Sequence, residues 1–191
     1  MGRYTTDMVS TEDAKKIIEC LRCGYEYKGV KHRSNFQVAT IMVLQANLGC
    51  RIGDIVHLTV ENITFDGEAW RLDMEEEKTG KKRRFVIPSP VKDMIDEWCQ
   101  RGNIESGRLF NIEEPAVWKQ LRAVTGYLGL SNISAHSFRK AAAYRVYTDS
   151  GKDIALTSQY LNHANTATTL LYLRRTSKQM DDILSKSVVL M

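Results

Sequence analysis

The chain has few of the features that mark a membrane or secreted protein. No run of apolar residues approaches the ~20 that a helix needs to cross a bilayer. The polar segment from Met1 to Asp7 lacks the apolar stretch of a signal peptide. We therefore expect a soluble, cytoplasmic protein with no membrane partner.

Metal-binding and disulfide patterns are also missing. The chain has four Cys, of which Cys20 and Cys23 form a Cys-x-x-Cys pair that no second pair follows. Cys50 and Cys99 stand alone. The sequence has no glycine-rich phosphate loop and no acidic cluster typical of a divalent-metal site. We expect no metal and no cofactor.

Charge is modest overall but clustered locally. The 191 residues carry a net charge of +4, and 43% of them are apolar, which fits one ordered domain. Five basic residues fall between positions 78 and 84. Such clusters often belong to solvated loops. Because the cluster begins at Lys78, near a turn where a flexible ammonium can reach a bound ligand, we predict that Lys81, Lys82, Arg83 and Arg84 contact a nucleic-acid backbone.

The apolar pattern predicts a mainly α fold with one small antiparallel β-sheet, an α+β domain. The predicted helices cover 11–23, 36–48, 52–58, 90–101, 114–127, 136–150, 153–161 and 177–185. The predicted strands lie near 62–65, 69–74 and 83–87. Trp70, Trp98 and Trp118 have apolar neighbours and are assigned to the core. No repeat or long linker divides the chain.

Three short segments near the end of the chain carry candidate chemistry. His136 and Arg139 form a His-x-x-Arg pair, and Tyr172 follows His163 by nine residues. A tyrosine supplies an oxygen nucleophile, an arginine can hold two oxygens of one phosphate, and imidazoles move protons near neutral pH. Each piece alone is weak. Together, in this order, they predict a site that attacks a phosphodiester.

Two upstream residues add positive charge to this site. Arg51 follows the glycine break at Gly49, and Asp54 lies three positions on, where it could hold the guanidinium. Lys78 precedes Thr79-Gly80 near the tip of a predicted β-hairpin, where a flexible ammonium can reach a ligand. Lys81 and Lys82 compete with Lys78 for that role.

This ordered set resembles the catalytic domain of the tyrosine recombinases, the phage integrase family. The family pattern is an arginine after a glycine, a hairpin lysine, a His-x-x-Arg, a Leu-Gly-His-like box and a tyrosine nine residues later. It matches here as Arg51, Lys78, His136, Arg139, His163 and Tyr172. The resemblance covers about residues 10–180. Three departures from the family pattern stand out. Asn162 replaces a glycine that is common in the family, Asp54 replaces a common glutamate, and residues 140–143 differ from the segment that usually follows the arginine. None of them removes a catalytic side chain, so they affect substrate preference and the positioning of the site more than its chemistry.

The resemblance implies a tyrosine recombinase catalytic-domain fold and site-specific recombination of double-stranded DNA. Tyr172 would attack a phosphate to give a 3′-phosphotyrosyl link. His136 would take its proton, Lys78 would protonate the departing 5′ oxygen, and Arg51, Arg139 and His163 would hold the phosphate.

The same resemblance implies the organisation of the chain and its assembly. Residues 10–176 would form the catalytic core, and 177–191 a tail that either docks on a neighbouring copy in a tetramer on paired DNA sites or folds back on its own core. Only about ten residues precede the first helix, so we expect no separate N-terminal DNA-clamping domain. Two alternatives stay open: a type IB topoisomerase with the same covalent chemistry, and a non-catalytic DNA-binding accessory protein.

Overall fold

The ends of the first two helices follow from local sequence signals. In a computed structural model that describes residues 6–173, Ser10 caps the first helix by accepting the Asp13 N–H at 3.0 Å. Asn35 caps the second in the same way. Gly49 ends the second helix at a φ of 59°, and a Cβ there would lie 2.6 Å from the Tyr160 hydroxyl. Only glycine fits this position, and it starts the turn that leads to Arg51.

The predicted mainly α fold with a small antiparallel sheet is confirmed. Helices α1 to α8 span Thr11–Cys23, Phe36–Leu48, Ile52–Val56, Ser89–Gly102, Glu114–Tyr127, Ala135–Asp149, Ile154–Tyr160 and Thr166–Leu173. Strands β1 to β5 span Tyr25–Tyr27, Val30–His32, Ile63–Phe65, Trp70–Glu75 and Lys82–Val86. The seven helices predicted before residue 174 are all present, with ends shifted by at most two residues. The helix predicted over 177–185 and the proposed tail lie outside the described residues.

Three strands form an antiparallel meander beside the helices. Leu72 in the central strand β4 pairs with Ile63 on β3 and with Phe85 on β5. Leu72 is fully buried, so this face of the sheet packs on the core. The β4–β5 connection forms the hairpin that carries Lys78. A second, two-stranded hairpin, β1–β2, was not predicted, because three-residue strands give almost no periodic signal.

Helix α2 forms the centre of the core and packs against α1 and α6. Eight of its thirteen residues are buried, which agrees with its apolar sequence. The assignment of the tryptophans to the core was wrong for two of three. Trp70 and Trp118 are 39% and 49% exposed, while Trp98 is partly buried and donates its indole N–H to the Leu109 carbonyl. Within residues 6–173 no helix combines the length and apolarity of a membrane span.

Candidate active site

Five of the six candidate residues line one cleft of about 830 Å³. They are Arg51, Lys78, His136, His163 and Tyr172. The opposite wall comes from α5 and contributes Trp118, Leu121 and Arg122. Residues that lie up to 121 positions apart in sequence therefore meet around one space that a ligand can enter.

Tyr172 stands between two imidazoles. Its ring centroid lies 4.8 Å from that of His136 and 5.0 Å from that of His163. Helix α8, which was not predicted, carries the tyrosine into the cleft. His136 lies in the first turn of α6, where its backbone N–H donates to the Ser134 hydroxyl. The arrangement places a base beside a candidate nucleophile.

Both imidazoles are neutral at neutral pH. Desolvation, followed by the charge of Arg139, lowers the pKa of His136 to about 4. The same two causes lower the pKa of His163 to about 4. A neutral imidazole can accept a proton, so His136 is in the form that a general base requires.

The tautomer of His163 follows from its two contacts. Its Nε2 lies 3.5 Å from Nη2 of Arg139, which can only donate, so Nε2 accepts. Its Nδ1 then carries the hydrogen and donates to the Thr169 hydroxyl at 3.0 Å. In this tautomer Nε2 has no hydrogen to give a phosphate, so the role of phosphate donor requires the other tautomer or the imidazolium.

Asn162, which stands where the family commonly has glycine, has a positive φ of 54°. Asparagine tolerates this left-handed region better than most residues that carry a side chain. Its side-chain amide donates to the Lys82 carbonyl at 3.3 Å and so connects the His163 loop to β5. Asn162 therefore adopts a backbone conformation that glycine also allows.

Arg139 lies directly behind the cleft wall and is fully buried. Nη1 donates to the Gly49 carbonyl at 2.6 Å, and Nη2 donates to the Leu161 carbonyl at 2.9 Å. Its Nε has no hydrogen-bond partner, and within residues 6–173 no carboxylate approaches it within 4.0 Å. Burial lowers the pKa of Arg139. An unneutralised cation here favours an anionic ligand.

The C-terminal end of α2 anchors two buried arginines. The Gly49 carbonyl accepts from Arg139, and the Leu48 carbonyl accepts from Nη2 of Arg83 at 2.9 Å. The last carbonyls of a helix have no partner within the helix. Here the two arginines supply donors to them.

Arg51 has a different main partner from the predicted one. Its Nη1 lies 2.5 Å from Oε2 of Glu76, a buried carboxylate in the hairpin. Asp54 approaches the same nitrogen only to 4.0 Å and instead accepts the Glu77 N–H at 3.1 Å. Asp54 therefore contacts the hairpin backbone more closely than it contacts Arg51. The role of Glu76 as the main partner of Arg51 was not predicted from the sequence.

Lys78 lies in the turn between β4 and β5. The N–H groups of Thr79 and Gly80 both donate to the Glu76 carbonyl, at 3.2 and 2.8 Å. The side chain of Lys78 is exposed and lines the cleft, whereas Lys81 and Lys82 do not line it. This placement favours Lys78 among the three candidate lysines.

Three of the four predicted DNA-contacting residues are accessible, and one is not. Lys82 and Arg84 are exposed, and Lys81 is half-buried. Arg83 is only 4% exposed, and its guanidinium lies 4.8 Å from the Phe85 ring centroid and contacts Glu76. The burial of Arg83 argues against the predicted DNA contact, because alternation along β5 turns this side chain inward.

The fold and the cleft together define a catalytic domain of the tyrosine recombinase type. Residues 10–179 match the model of the phage integrase family, and the chain belongs to that family.

Two solved structures share this fold. The XerA recombinase structure has a TM-score of 0.70 at 17% identity, and the comparison covers 97% of this chain and 65% of that one. A lambda integrase structure has a TM-score of 0.69 at 16% identity and covers 93% of this chain and 52% of that one.

Among curated proteins, the chain is similar to the tyrosine recombinase XerA of Pyrococcus furiosus. The two are 25% identical over 191 residues, which cover 95% of this chain and 62% of the relative. The chain thus spans about three fifths of the length of this relative.

Proposed function

We propose that the protein is a site-specific DNA recombinase that cuts and rejoins strands through a 3′-phosphotyrosyl intermediate. The observation that carries this proposal is the position of Tyr172 between His136 and His163, in a cleft that also holds Arg51 and Lys78. Nucleophile, base, cation and acid candidates then surround one site large enough for a phosphodiester.

In the proposed reaction, the Tyr172 hydroxyl oxygen bonds to phosphorus, and its proton passes to neutral His136. The bond from phosphorus to the 5′ oxygen breaks, and Lys78 protonates that oxygen as it leaves. Arg51 in the cleft and the buried charge of Arg139 behind the cleft wall stabilise the charge on the non-bridging oxygens. A 5′ hydroxyl of a partner strand reverses these steps. The covalent link conserves the phosphodiester energy, so rejoining needs no external energy source.

Double-stranded DNA and further copies of the chain are the proposed partners. The lambda integrase neighbour is a tetramer bound to a Holliday junction, and a XerH neighbour is bound to its difH substrate. These neighbours support assembly of this chain as a tetramer on paired sites. An enzyme with this substrate works where the DNA lies, which supports the expected cytoplasmic location.

The proposal is tested by covalent trapping on nicked duplexes that tile the DNA flanking the gene of the protein. At a cleavage site the nick lets the short 5′-hydroxyl strand diffuse away, so the protein stays attached. We expect a detergent-resistant adduct on at least one duplex, also in EDTA, because arginines supply the charge stabilisation in this scheme. The absence of an adduct on every duplex would contradict the proposal. Relaxation of plasmid DNA without a specific site would favour the topoisomerase alternative instead.

Lys78→Ala should slow cleavage of ordinary DNA by about 10²–10⁴-fold, the usual contribution of a positioned acid. On a duplex whose bridging 5′ oxygen is replaced by sulfur, the variant should cleave at nearly the wild-type rate. A thiolate leaves without protonation, so this substrate no longer needs the acid. The measurement is single-turnover adduct formation on the two duplexes.

Lys82→Ala is the matched control, because Lys82 lies on the same hairpin but outside the cleft lining. It should cleave both duplexes at similar rates. If sulfur rescued Lys82→Ala and not Lys78→Ala, Lys82 would be the acid.

A further inference from the structure

The buried carboxylate of Glu76 contacts three side chains, those of Arg51, Thr79 and Arg83. Its side chain is fully buried at the end of β4, beside the turn that carries Lys78. Its Oε2 accepts from Nη1 of Arg51 at 2.5 Å and from the Thr79 hydroxyl at 2.7 Å. Its Oε1 faces Nη1 of Arg83 at 3.5 Å. No part of Glu76 lines the cleft.

The charge on Glu76 persists despite its burial. Burial acts most strongly and raises the pKa of this carboxyl, but the hydrogen bonds from Thr79 and Arg51, together with the charges of Arg51 and Arg83, outweigh burial and lower the pKa. The ionised carboxylate therefore holds both donors at neutral pH. Hydrogen bonds to an ionised acceptor are shorter and stronger than neutral ones.

The turn that carries Lys78 is held on both sides. On one side the Glu77 N–H donates to Asp54, which lies on α3, three residues after Arg51. On the other side the Thr79 hydroxyl donates to the same Glu76 oxygen that binds Arg51. A lysine side chain is long and flexible, so the position of its ammonium depends on how firmly the backbone below it is held.

We infer that Glu76 is a positioning residue that couples the Lys78 turn to Arg51, and that the Thr79 hydroxyl is the link on the lysine side. This inference rests on the proposed function. Glu76 touches neither DNA nor the reacting atoms. It keeps the acid that serves the leaving 5′ oxygen in register with the cation that serves the non-bridging oxygens. Small misplacements of catalytic groups cost large factors in rate.

A purely structural role is the competing explanation, because Glu76 also faces the buried charge of Arg83. Removing Glu76 would leave that charge without a carboxylate, and such changes destabilise proteins strongly. Thr79 separates the two roles. It is exposed and lines the cleft, and its hydroxyl contacts Glu76 without touching Arg83. Loss of a direct contact between this hydroxyl and DNA would slow both duplexes equally, whereas misplacement of Lys78 is rescued by sulfur. Thr79→Val removes the hydroxyl at nearly constant shape and leaves both arginine contacts in place.

The test measures single-turnover adduct formation on ordinary DNA and on the 5′-sulfur duplex. Thr79→Val should cleave ordinary DNA about tenfold more slowly, the effect of one hydrogen bond to a charged group. It should cleave the sulfur duplex at the wild-type rate, because only placement of the acid is disturbed. Thr79→Ser, which keeps the hydroxyl, should match the wild type on both. The melting temperature of each variant should stay within about 6 °C of the wild type.

Glu76→Gln tests the arginine side of the link. The amide keeps the shape but removes the charge that holds Arg51, so this variant should be slow on both duplexes. Sulfur should not restore it. In a Lys78→Ala background, Thr79→Val should add no further slowing, because the group that it positions is already absent.

Wild-type rates for Thr79→Val on ordinary DNA would overturn the inference, as would equal slowing on both duplexes. Full rescue of Glu76→Gln by sulfur would overturn the coupling to Arg51. The proposed function fails by a different result, the absence of any wild-type adduct.

Discussion

Tyr172→Phe should form no covalent adduct with DNA while it binds the same duplex with nearly unchanged affinity. The phenyl ring can still pack between His136 and His163, whose centroids lie 4.8 and 5.0 Å away. What is lost is the oxygen that would bond to phosphorus. Denaturing gels of trapped duplexes measure the adduct, and a binding titration in native gels measures affinity.

Tyr127→Phe is the matched control for this variant. Tyr127 lies at the end of α5, is 44% exposed and does not line the cleft. It should form the adduct at the wild-type rate. An adduct in the Tyr172→Phe protein would exclude Tyr172 as the nucleophile.

Arg139→Ala should reduce cleavage by at least about 10²–10³-fold, the usual effect of removing one group that stabilises transition-state charge. Replacing the bridging 5′ oxygen with sulfur should not restore activity, because the lost interaction concerns the non-bridging oxygens. Single-turnover rates on both duplexes measure the effect. Arg139→Lys keeps the charge but not the planar fork, so we expect an intermediate rate.

Opposing effects set the stability of the Arg139→Ala protein, and the cavity left by a large, fully buried side chain adds to the loss. The carbonyls of Gly49 and Leu161 lose their donors, at about 1–3 kcal/mol each. The change also removes a buried charge that no described carboxylate neutralises, and its desolvation opposes folding. We expect a folded protein with a moderately changed melting temperature. Wild-type cleavage rates in this folded variant would exclude Arg139 from phosphate binding.

Much of this fold could be predicted because its signals are local. Ser10 and Gly49 mark helix ends through backbone hydrogen bonds and a positive φ, and both act within a few residues. The candidate site residues could also be predicted, because their order and spacing match the tyrosine recombinase pattern. Helix α8 could not be predicted, because a threonine-rich sequence with a short apolar run is compatible with several local structures.

Partners that lie far apart in sequence could not be predicted. Glu76 binds Arg51 across 25 positions, and this pairing has no local signal. The alternation of β4 indicates only that Glu76 lies on the buried face of Leu72 and Met74, while Glu75 and Glu77 are exposed. The inward orientation of Arg83 did have a signal. It shares its strand face with Phe85, and period-two alternation would have placed both toward the core. From the sequence, Arg83 was instead grouped with the neighbouring basic residues Lys81, Lys82 and Arg84 as one DNA-contacting cluster.

The anchoring of Arg139 at the end of α2 has an electrostatic consequence. A helix C-terminus carries only a fractional negative charge, about half an electron, spread over several carbonyl groups. Such a partner fixes the direction of a guanidinium without cancelling its charge, as an aspartate would. Arg139 is thus oriented by a dipole and keeps most of its positive potential, whereas Arg51 shares its charge with Glu76. Of the two arginines, the buried one therefore has less of its charge offset by a carboxylate among residues 6–173.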